Sequence, residues 1–435
     1  MTDIRKLAHE LLLSYEKEER YANLLLSSPK VKALSKEELS ALTVLLYTTI
    51  EKKLKYDYVI CSYAKRQTSD IDPFVLAALR LGLCQIYDMS SVPDFAAVNE
   101  TVKLARHKGE QGFINAILRK AVREKDTPPL PDRAKNAARY MSVYYSVPLK
   151  TVKYFISLFG DDAERLLEAY SRPSSLSVTV NDGKISRDAL LEKLSGLGYK
   201  CSPSRYSANG ITFDESLPPK SIEGFSEGEF FVQDEASRIA AAALDARLGE
   251  TVVDVCSAPG GKALAAAIRV GKEGCVYAFD LHESKLSLIK DSKDRLGLDN
   301  ITVRSLDATV GCAELFGKAD RVICDVPCSG LGVFAKKPDL RYKDIDTLGE
   351  LPALQSQILV TSAEYLKVGG VLVYSTCTLN PEENEGVTDS FIRDNPDFAY
   401  EDFGSYDLKC KGKITLLPHV HGTDGFYIAK LRKLK

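Results

Sequence analysis

The chain has 435 residues, a formal charge of −2, 45% apolar and 27% charged residues: an ordinary soluble globular composition, too long for one hydrophobic core. No apolar run approaches the roughly 20 residues of a membrane span, and one of the longest, Ile239–Leu244, is six residues. Ten cysteines at irregular spacings, without a C-x-x-C pair and with only five histidines, offer neither a zinc ligand set nor a disulfide framework.

The N-terminal apolar stretch is broken by Glu10 and followed by Glu16, Lys17 and Glu18, unlike a signal peptide, so a cytoplasmic, reducing location is expected. Residues 1–140 hold 23 Lys and Arg against 18 Asp and Glu, whereas the remainder holds 35 against 42. A mildly basic N-terminal third suits either a polyanion contact or a solvated surface.

Within 1–140, apolar residues recur at helical spacing at Leu7, Ala8, Leu11 and Leu12, at Leu42, Leu45, Leu46 and Ile50, and at Val75, Leu76, Leu79 and Leu83. Two more helices are predicted over Val98–Lys108 and Phe113–Arg123, with Gly109 and Gly112 marking a break between them. The cluster Pro128, Pro129 and Pro131 reads as the linker that ends this all-α region.

Residues 141–228 read as linker helices and a small α/β module, with a strand over Leu176–Val180, a helix over Ser186–Gly196 and a strand over Gly210–Phe213. From 229 to 435, short apolar strands at Thr251–Cys256, Cys275–Asp280, Ile301–Leu306, Arg321–Cys324 and Val371–Tyr374 alternate with helices, including His282–Leu296 and Leu351–Leu366. That alternation predicts a doubly wound, Rossmann-like sheet with ligands at the carboxyl ends of its strands.

The first of those ends carries Cys256-Ser257-Ala258-Pro259-Gly260-Gly261-Lys262 ahead of a helix, where glycine permits close backbone approach and a helix N-terminus favours negative groups. Asp280, about 20 residues on, is placed to accept hydrogen bonds from ribose hydroxyls, and Asp307 ends the third strand beside the expected base. A nucleoside-bearing cofactor is favoured; no G-K-[ST] phosphate loop is present.

Two later strand ends carry cysteines, in Asp325-Val326-Pro327-Cys328-Ser329-Gly330 and in Ser375-Thr376-Cys377-Thr378-Leu379-Asn380-Pro381-Glu382-Glu383-Asn384-Glu385. Asn380 as N-cap, Pro381 as first helical residue and Glu383 as capping-box partner would set Cys377 before a helix N-terminus, which favours thiolate. The remaining thiols read as packing, as does Cys256 with respect to nucleophilic chemistry, although its backbone is expected to line the cofactor site.

Together, Asp254-x-Cys256-x-Ala258-Pro259-Gly260-Gly261-Lys262, Asp325-x-Pro327-Cys328-Ser329-Gly330 and Ser375-Thr376-Cys377-Thr378 resemble the RNA cytosine-5 methyltransferases, class I methyltransferases that use S-adenosyl-L-methionine. Gln233-Asp234, Lys337-Pro338-Asp339-Leu340-Arg341-Tyr342 and Thr423-Asp424-Gly425-Phe426 are similar to the bacterial subfamily acting on 16S rRNA. Val98-Asn99-Glu100-Thr101-Val102 and Phe113–Arg119 resemble its NusB-like RNA-binding domain. The resemblance spans essentially the whole chain.

It implies a multidomain protein: an all-α NusB-like domain over 1–140, linker helices and a small α/β module over 141–228, and a methyltransferase domain over 229–435. It implies Cys377 as nucleophile, Cys328 as its partner in resolution, and Asp325 as the group binding the base near N3. Cofactor contacts carried over are Cys256 to Lys262, Asp280, Asp307 and Asp325. Lys262 matches a position near the target base, though a role in loop geometry fits equally. The implied reaction methylates carbon 5 of a specific cytosine in 16S rRNA, of the cytosine-967 type. The pattern departs at Thr179, where relatives commonly carry Arg, and at Ser257 and Val326, where Ala is frequent. Transfer RNA or 23S rRNA as substrate, or a non-catalytic RNA-binding assembly factor, remain alternatives.

Overall fold

A computed structural model describes residues 3–18, 25–26, 28–172, 175–405 and 407–435. The chain divides into two compact units: Met1–Ser171 with Lys337–Ile345, and Arg172–Lys336 with Asp346–Lys435. None of the described helices is long and apolar enough to cross a membrane.

In the first unit, α1 (Ile4–Glu18), α2 (Lys36–Glu51), α3 (Lys53–Ala64), α4 (Pro73–Asp88), α5 (Asp94–Val102) and α6 (Lys108–Arg123) surround one apolar core. α4 is buried from Val75 through Ile86, so it has no solvent face and stands at the centre. It begins on a capped turn, with Asp72 accepting from Phe74 N at 2.8 Å and Pro73 in the first turn. Its buried Arg80 is neutralised by a two-nitrogen grip on Asp57, at 2.6 and 2.8 Å, and by Glu16.

Gly109 and Gly112 do not separate two helices, as their sequence had suggested; both lie inside α6. The break falls instead at Lys103–His107, where the extended His107 caps α6. A glycine inside a helix costs only about 1 kcal/mol, and burial of Ile114, Ile117 and Leu118 outweighs it. Beyond the proline cluster, α7 (Ala137–Tyr144), α8 (Leu149–Phe159) and α9 (Asp162–Tyr170) continue the first unit. Lys337–Ile345 packs there too: Arg341 Nη1 donates to Glu51 O at 3.4 Å and Tyr145 O at 3.3 Å, and Tyr342 OH to Glu51 O at 2.8 Å.

The second unit opens with a four-stranded antiparallel sheet ordered β2-β3-β1-β4, from β1 (Ser177–Val180), β2 (Cys201–Pro203), β3 (Gly210–Phe213) and β4 (Phe230–Val232). Helix α10 (Arg187–Gly196), capped by Ser186, supplies Leu190 and Leu194 to its core. Asn181 Nδ2 reaches Gly228 O at 3.0 Å and Leu296 O at 3.1 Å, stitching this sheet to the end of a helix of the next domain.

That domain is built on β5 (Thr251–Asp254), β6 (Cys275–Asp280), β7 (Ile301–Ser305), β8 (Ala319–Asp325), β9 (Leu366–Thr376), β10 (Phe398–Tyr400), β13 (Lys413–Leu416) and β14 (Phe426–Lys433), with β11 (Phe403–Ser405) and β12 (Leu408–Cys410) forming a separate ribbon. The main sheet runs β10-β14-β9-β8-β5-β6-β7, with β13 against β14. The five strands β9-β8-β5-β6-β7 are parallel, and β14 pairs antiparallel with β9, β10 and β13.

Alternate residues face opposite cores. Val252, Val276 and Val373 pack with α11 (Glu235–Ala243), α12 (Gly261–Val270) and α13 (Glu283–Leu296). Val253, Val322 and Leu372 pack on the other face with α14 (Leu351–Glu364) and α15 (Glu385–Asp394). This is the doubly wound sheet expected. The chain winds from β5 out to β7, then crosses back to β8 on the opposite side of β5, so the crevice at the carboxyl ends of β5 and β8 is the topological switch point.

Candidate active site

The turn after β5 is held from two sides. Ser257 N donates to Phe279 O at 2.7 Å, and Ala258 N to Asp280 Oδ2 at 3.2 Å. Asp280, buried at the end of β6, also accepts from His282 N at 3.0 Å, so one carboxylate shapes two strand-end loops. Gly260 adopts φ +109°, a conformation only glycine takes easily, and the N-terminus of α12 follows at Gly261. Asp307 stands apart: it lies two residues beyond β7, is exposed, and folds back on Thr309 N at 2.9 Å and Oγ1 at 2.7 Å, bonds that hold its carboxyl below the usual range.

In the sequence Asp254 is distinguished only as the first residue of the turn motif. Its side chain is fully buried at the end of β5. Although the Ser257 hydroxyl and the Cys256 amide lie close enough to interact with it, neither carboxylate oxygen has a well-aligned hydrogen-bond partner among the described residues, and nor does Ser257 Oγ. Burial pushes the Asp254 carboxyl up to about 7, with Lys262 pulling it down and Asp325 pushing it further up. Orphaned polar atoms in a crevice under a glycine turn fit a polar, cationic ligand such as the amino-acid end of S-adenosylmethionine.

Lys262, on the first turn of α12, reaches across the switch point: Nζ donates to Asp325 Oδ2 at 2.7 Å and to Ser237 Oγ at 3.0 Å. Asp325 also accepts from Ser375 Oγ at 2.6 Å, so the start of α12 and the ends of β8 and β9 meet in one polar network.

Cys328 and Cys377 come together. Their sulfurs are 3.2 Å apart, on the loops following adjacent parallel strands β8 and β9. The hydrogen bond to Cys377, then burial, push the Cys328 thiol well up. Cys256 and Cys324 are also pushed up, Cys324 to about 12, chiefly by burial, as suits packed thiols.

The cap predicted after Cys377 does not form. α15 starts at Glu385, with Asn384 preceding it, and Asn380 instead supports a turn by accepting from Glu382 N at 3.1 Å. Glu383 is drawn inward, where it accepts from Ser329 N at 2.9 Å, Ser329 Oγ at 2.5 Å and Gln355 Nε2 at 2.9 Å. Cys377 therefore lies eight residues before the helix start and not directly ahead of it.

Two flanking motifs also acquire roles. A Cβ at Gly332 would stand 1.9 Å from Gly425 O and 2.9 Å from Cys377 O. With no side chain there, Gly332 N donates to Cys377 O at 3.0 Å and Gly425 N to Gly332 O at 2.8 Å. Lys336 bridges Asp234 and Asp424. Thr179 bonds Gln233 Oε1 at 2.7 Å, a contact to a neighbouring segment, and Gln233 borders Gly261.

Comparison with known proteins agrees with this layout. A family model described as 16S rRNA methyltransferase RsmB/F matches residues 241–432, a NusB family model residues 2–123, and an RsmF/B-like ferredoxin-like domain model residues 148–219. A Bacillus subtilis (strain 168) protein named "Probable ribosomal RNA small subunit methyltransferase B" is 36% identical, covering 99% of each chain. One of the same name from Synechocystis sp. is 32% identical over 100% of both. The solved structure of a methyltransferase homologue from Pyrococcus horikoshii is 30% identical, covers 69% of this chain and 99% of its own, and superposes with a TM-score of 0.60.

Proposed function

The chain belongs to the 16S rRNA methyltransferase RsmB/F family, and from that membership we propose that it methylates carbon 5 of a specific cytosine in 16S rRNA, of the cytosine-967 type, through a covalent bond between Cys377 and carbon 6. It is an S-adenosylmethionine-dependent RNA methyltransferase. The observation that carries the finer reading is the 3.2 Å between two sulfurs at neighbouring strand ends, beside the Lys262–Asp325 pair.

Carbon 5 of cytosine is a weak nucleophile. Cys377, as thiolate, adds to carbon 6; the 5,6 double bond opens and its electron pair becomes available at carbon 5. Asp325 holds the base near N3, and the Lys262 ammonium beside it offsets the negative charge that builds on the ring. When bound, S-adenosylmethionine supplies an electrophilic methyl group on a sulfonium. After carbon 5 takes that methyl, its proton is lost to solvent, the double bond re-forms, and the carbon 6–sulfur bond breaks with Cys377 leaving as thiolate. Cys328, still a thiol because its proton is tightly held, assists by donating a hydrogen bond to the departing sulfur. Cys256 to Lys262, Asp280, Asp307 and Asp325 form the cofactor side of the crevice, Asp307 at its outer edge. The target base enters unpaired or flipped from its stack.

We assign RNA docking to residues 1–140, catalysis to 229–435, and the connecting helices and small sheet to 141–228. Incubation with labelled S-adenosylmethionine and unmodified 16S, 23S and transfer RNA tests this reading. Label at carbon 5 of cytosine in 16S rRNA is expected. Label in transfer RNA or 23S rRNA alone overturns the substrate, and label in none of them overturns the activity.

A further inference from the structure

We propose that Glu383 is a positioning residue for the methyl transfer: its buried carboxylate clamps the loop after β8 to the loop after β9 and so fixes the Cys328 sulfur against Cys377. The proposal rests on the covalent reading above and goes beyond it in naming what holds the two sulfurs in register.

The clamp is visible atom by atom. Glu383 is fully buried, and four donors converge on its two oxygens: Ser329 N at 2.9 Å, Ser329 Oγ at 2.5 Å, Gln355 Nε2 at 2.9 Å and Asn380 Nδ2 at 3.1 Å. That fills the lone-pair capacity of a carboxylate. Ser329 directly follows Cys328, and Asn380 lies three residues after Cys377, so each loop is gripped beside its sulfur. Gln355 also donates to Pro327 O at 2.9 Å, which immobilises the residue on the other side of Cys328. The Ser329 and Thr378 hydroxyls, 2.6 Å apart, close the same bridge next to Cys377. Tyr374 OH donates to Glu383 O at 2.7 Å and anchors the clamp to β9.

A purely structural role is a poor account of this group. All four partners are neutral dipoles; no cation among the described residues forms an ion pair with Glu383. A buried carboxylate without a cation is costly, and only a carboxylate offers an acceptor site to all four donors. Its charge makes sense beside a sulfur that has to keep its proton: after the Cys377 bond, burial and the charge of Cys377, Glu383 is a further influence pushing the Cys328 thiol up.

The test reads sulfur geometry separately from catalysis. Diamide converts two neighbouring thiols to a disulfide, its N=N bond taking up the two electrons and two protons to become a hydrazine. The rate of Cys328–Cys377 cross-linking, followed by mass spectrometry of the linked peptides, therefore measures their juxtaposition. In Glu383→Gln an NH2 group replaces one oxygen and turns its two protons towards two of the four donors, so cross-linking is expected to slow about tenfold or more and kcat to fall roughly 100-fold, the scale of an ångström of misplacement. KM for RNA and the affinity for S-adenosylmethionine are expected to stay unchanged. Glu383→Asp, which keeps the charge, recovers part of both losses, and Ser329→Ala, which removes a single donor, gives a smaller loss of the same pattern. Cross-linking of Glu383→Gln at the wild-type rate overturns the proposal. Slowed cross-linking with kcat unchanged overturns the role of the clamp in methyl transfer while leaving the covalent reading intact; absence of any Cys377–RNA adduct together with turnover by Cys377→Ala overturns the covalent reading instead.

Discussion

Replacing Gly332 by alanine is a sharp test of how the Cys377 loop is held. The added Cβ would lie 1.9 Å from Gly425 O, 2.5 Å from Gly425 C and 2.9 Å from Cys377 O. All three are backbone atoms that cannot swing aside, so the strands of chain must part by about 1 Å to reach van der Waals distance. Overpacking of this kind costs about 1–3 kcal/mol. The hydrogen bonds Gly332 N to Cys377 O and Gly425 N to Gly332 O are weakened as well, at about 1 kcal/mol each. The expected destabilisation is thus roughly 2–5 kcal/mol, and because the displaced carbonyl belongs to the nucleophile, single-turnover methylation should fall about 100-fold. Urea unfolding and a labelled-methyl assay report the two quantities. Gly112→Ala serves as control, since a Cβ there meets nothing within 4 Å and a helical alanine is worth about 1 kcal/mol over glycine. Wild-type stability and rate in Gly332→Ala would refute the argument.

Three further expectations follow from the site. Lys262→Met removes the cation that faces Asp325 at 2.7 Å; breaking such a partly buried pair is expected to cost a few kcal/mol, at most ~3–5, in urea unfolding, whereas the double variant Lys262→Met with Asp325→Leu should recover part of the loss. Asp325→Ala should lower kcat about 100- to 1000-fold with little change in RNA affinity, read by steady-state kinetics and filter binding. For Asp254 the folded carboxyl lies up at about 7 against about 4 in an unfolded chain. Between those values the folded protein holds a proton the unfolded chain has released, so stability falls as pH rises through this window, and the penalty is complete above it. Asp254→Asn should therefore stabilise the cofactor-free protein more at pH 8 than at pH 5, by at most about 2.5 kcal/mol, since about a third of the penalty is already in place at pH 5; equal gains at both pH values would contradict the assignment.

The parts of the fold written in the sequence are those governed by short-range pattern. β6 is a run of β-favouring apolar residues, and its bounds, Cys275–Asp280, were readable directly. The antiparallel edge was not. β14 interleaves Lys430 and Arg432 with apolar residues, and only the structure shows both basic groups answered by Glu401. The strand-end motifs showed where chemistry would gather because strand ends need no long-range information. Glu383 was hidden for the opposite reason. Its run reads locally as a helix cap, yet its partners Ser329 and Gln355 come from 54 and 28 residues away, and their competition moves the helix start to Glu385.

The decisive measurement is mass spectrometry of the protein after reaction with 16S rRNA and S-adenosylmethionine, comparing wild type, Cys328→Ser and Cys377→Ala. Cys328→Ser is expected to accumulate an RNA-linked species whose modified peptide contains Cys377, and Cys377→Ala to form no such species and to transfer no methyl group. Full turnover by Cys377→Ala, or an adduct mapped to any other thiol, would contradict it.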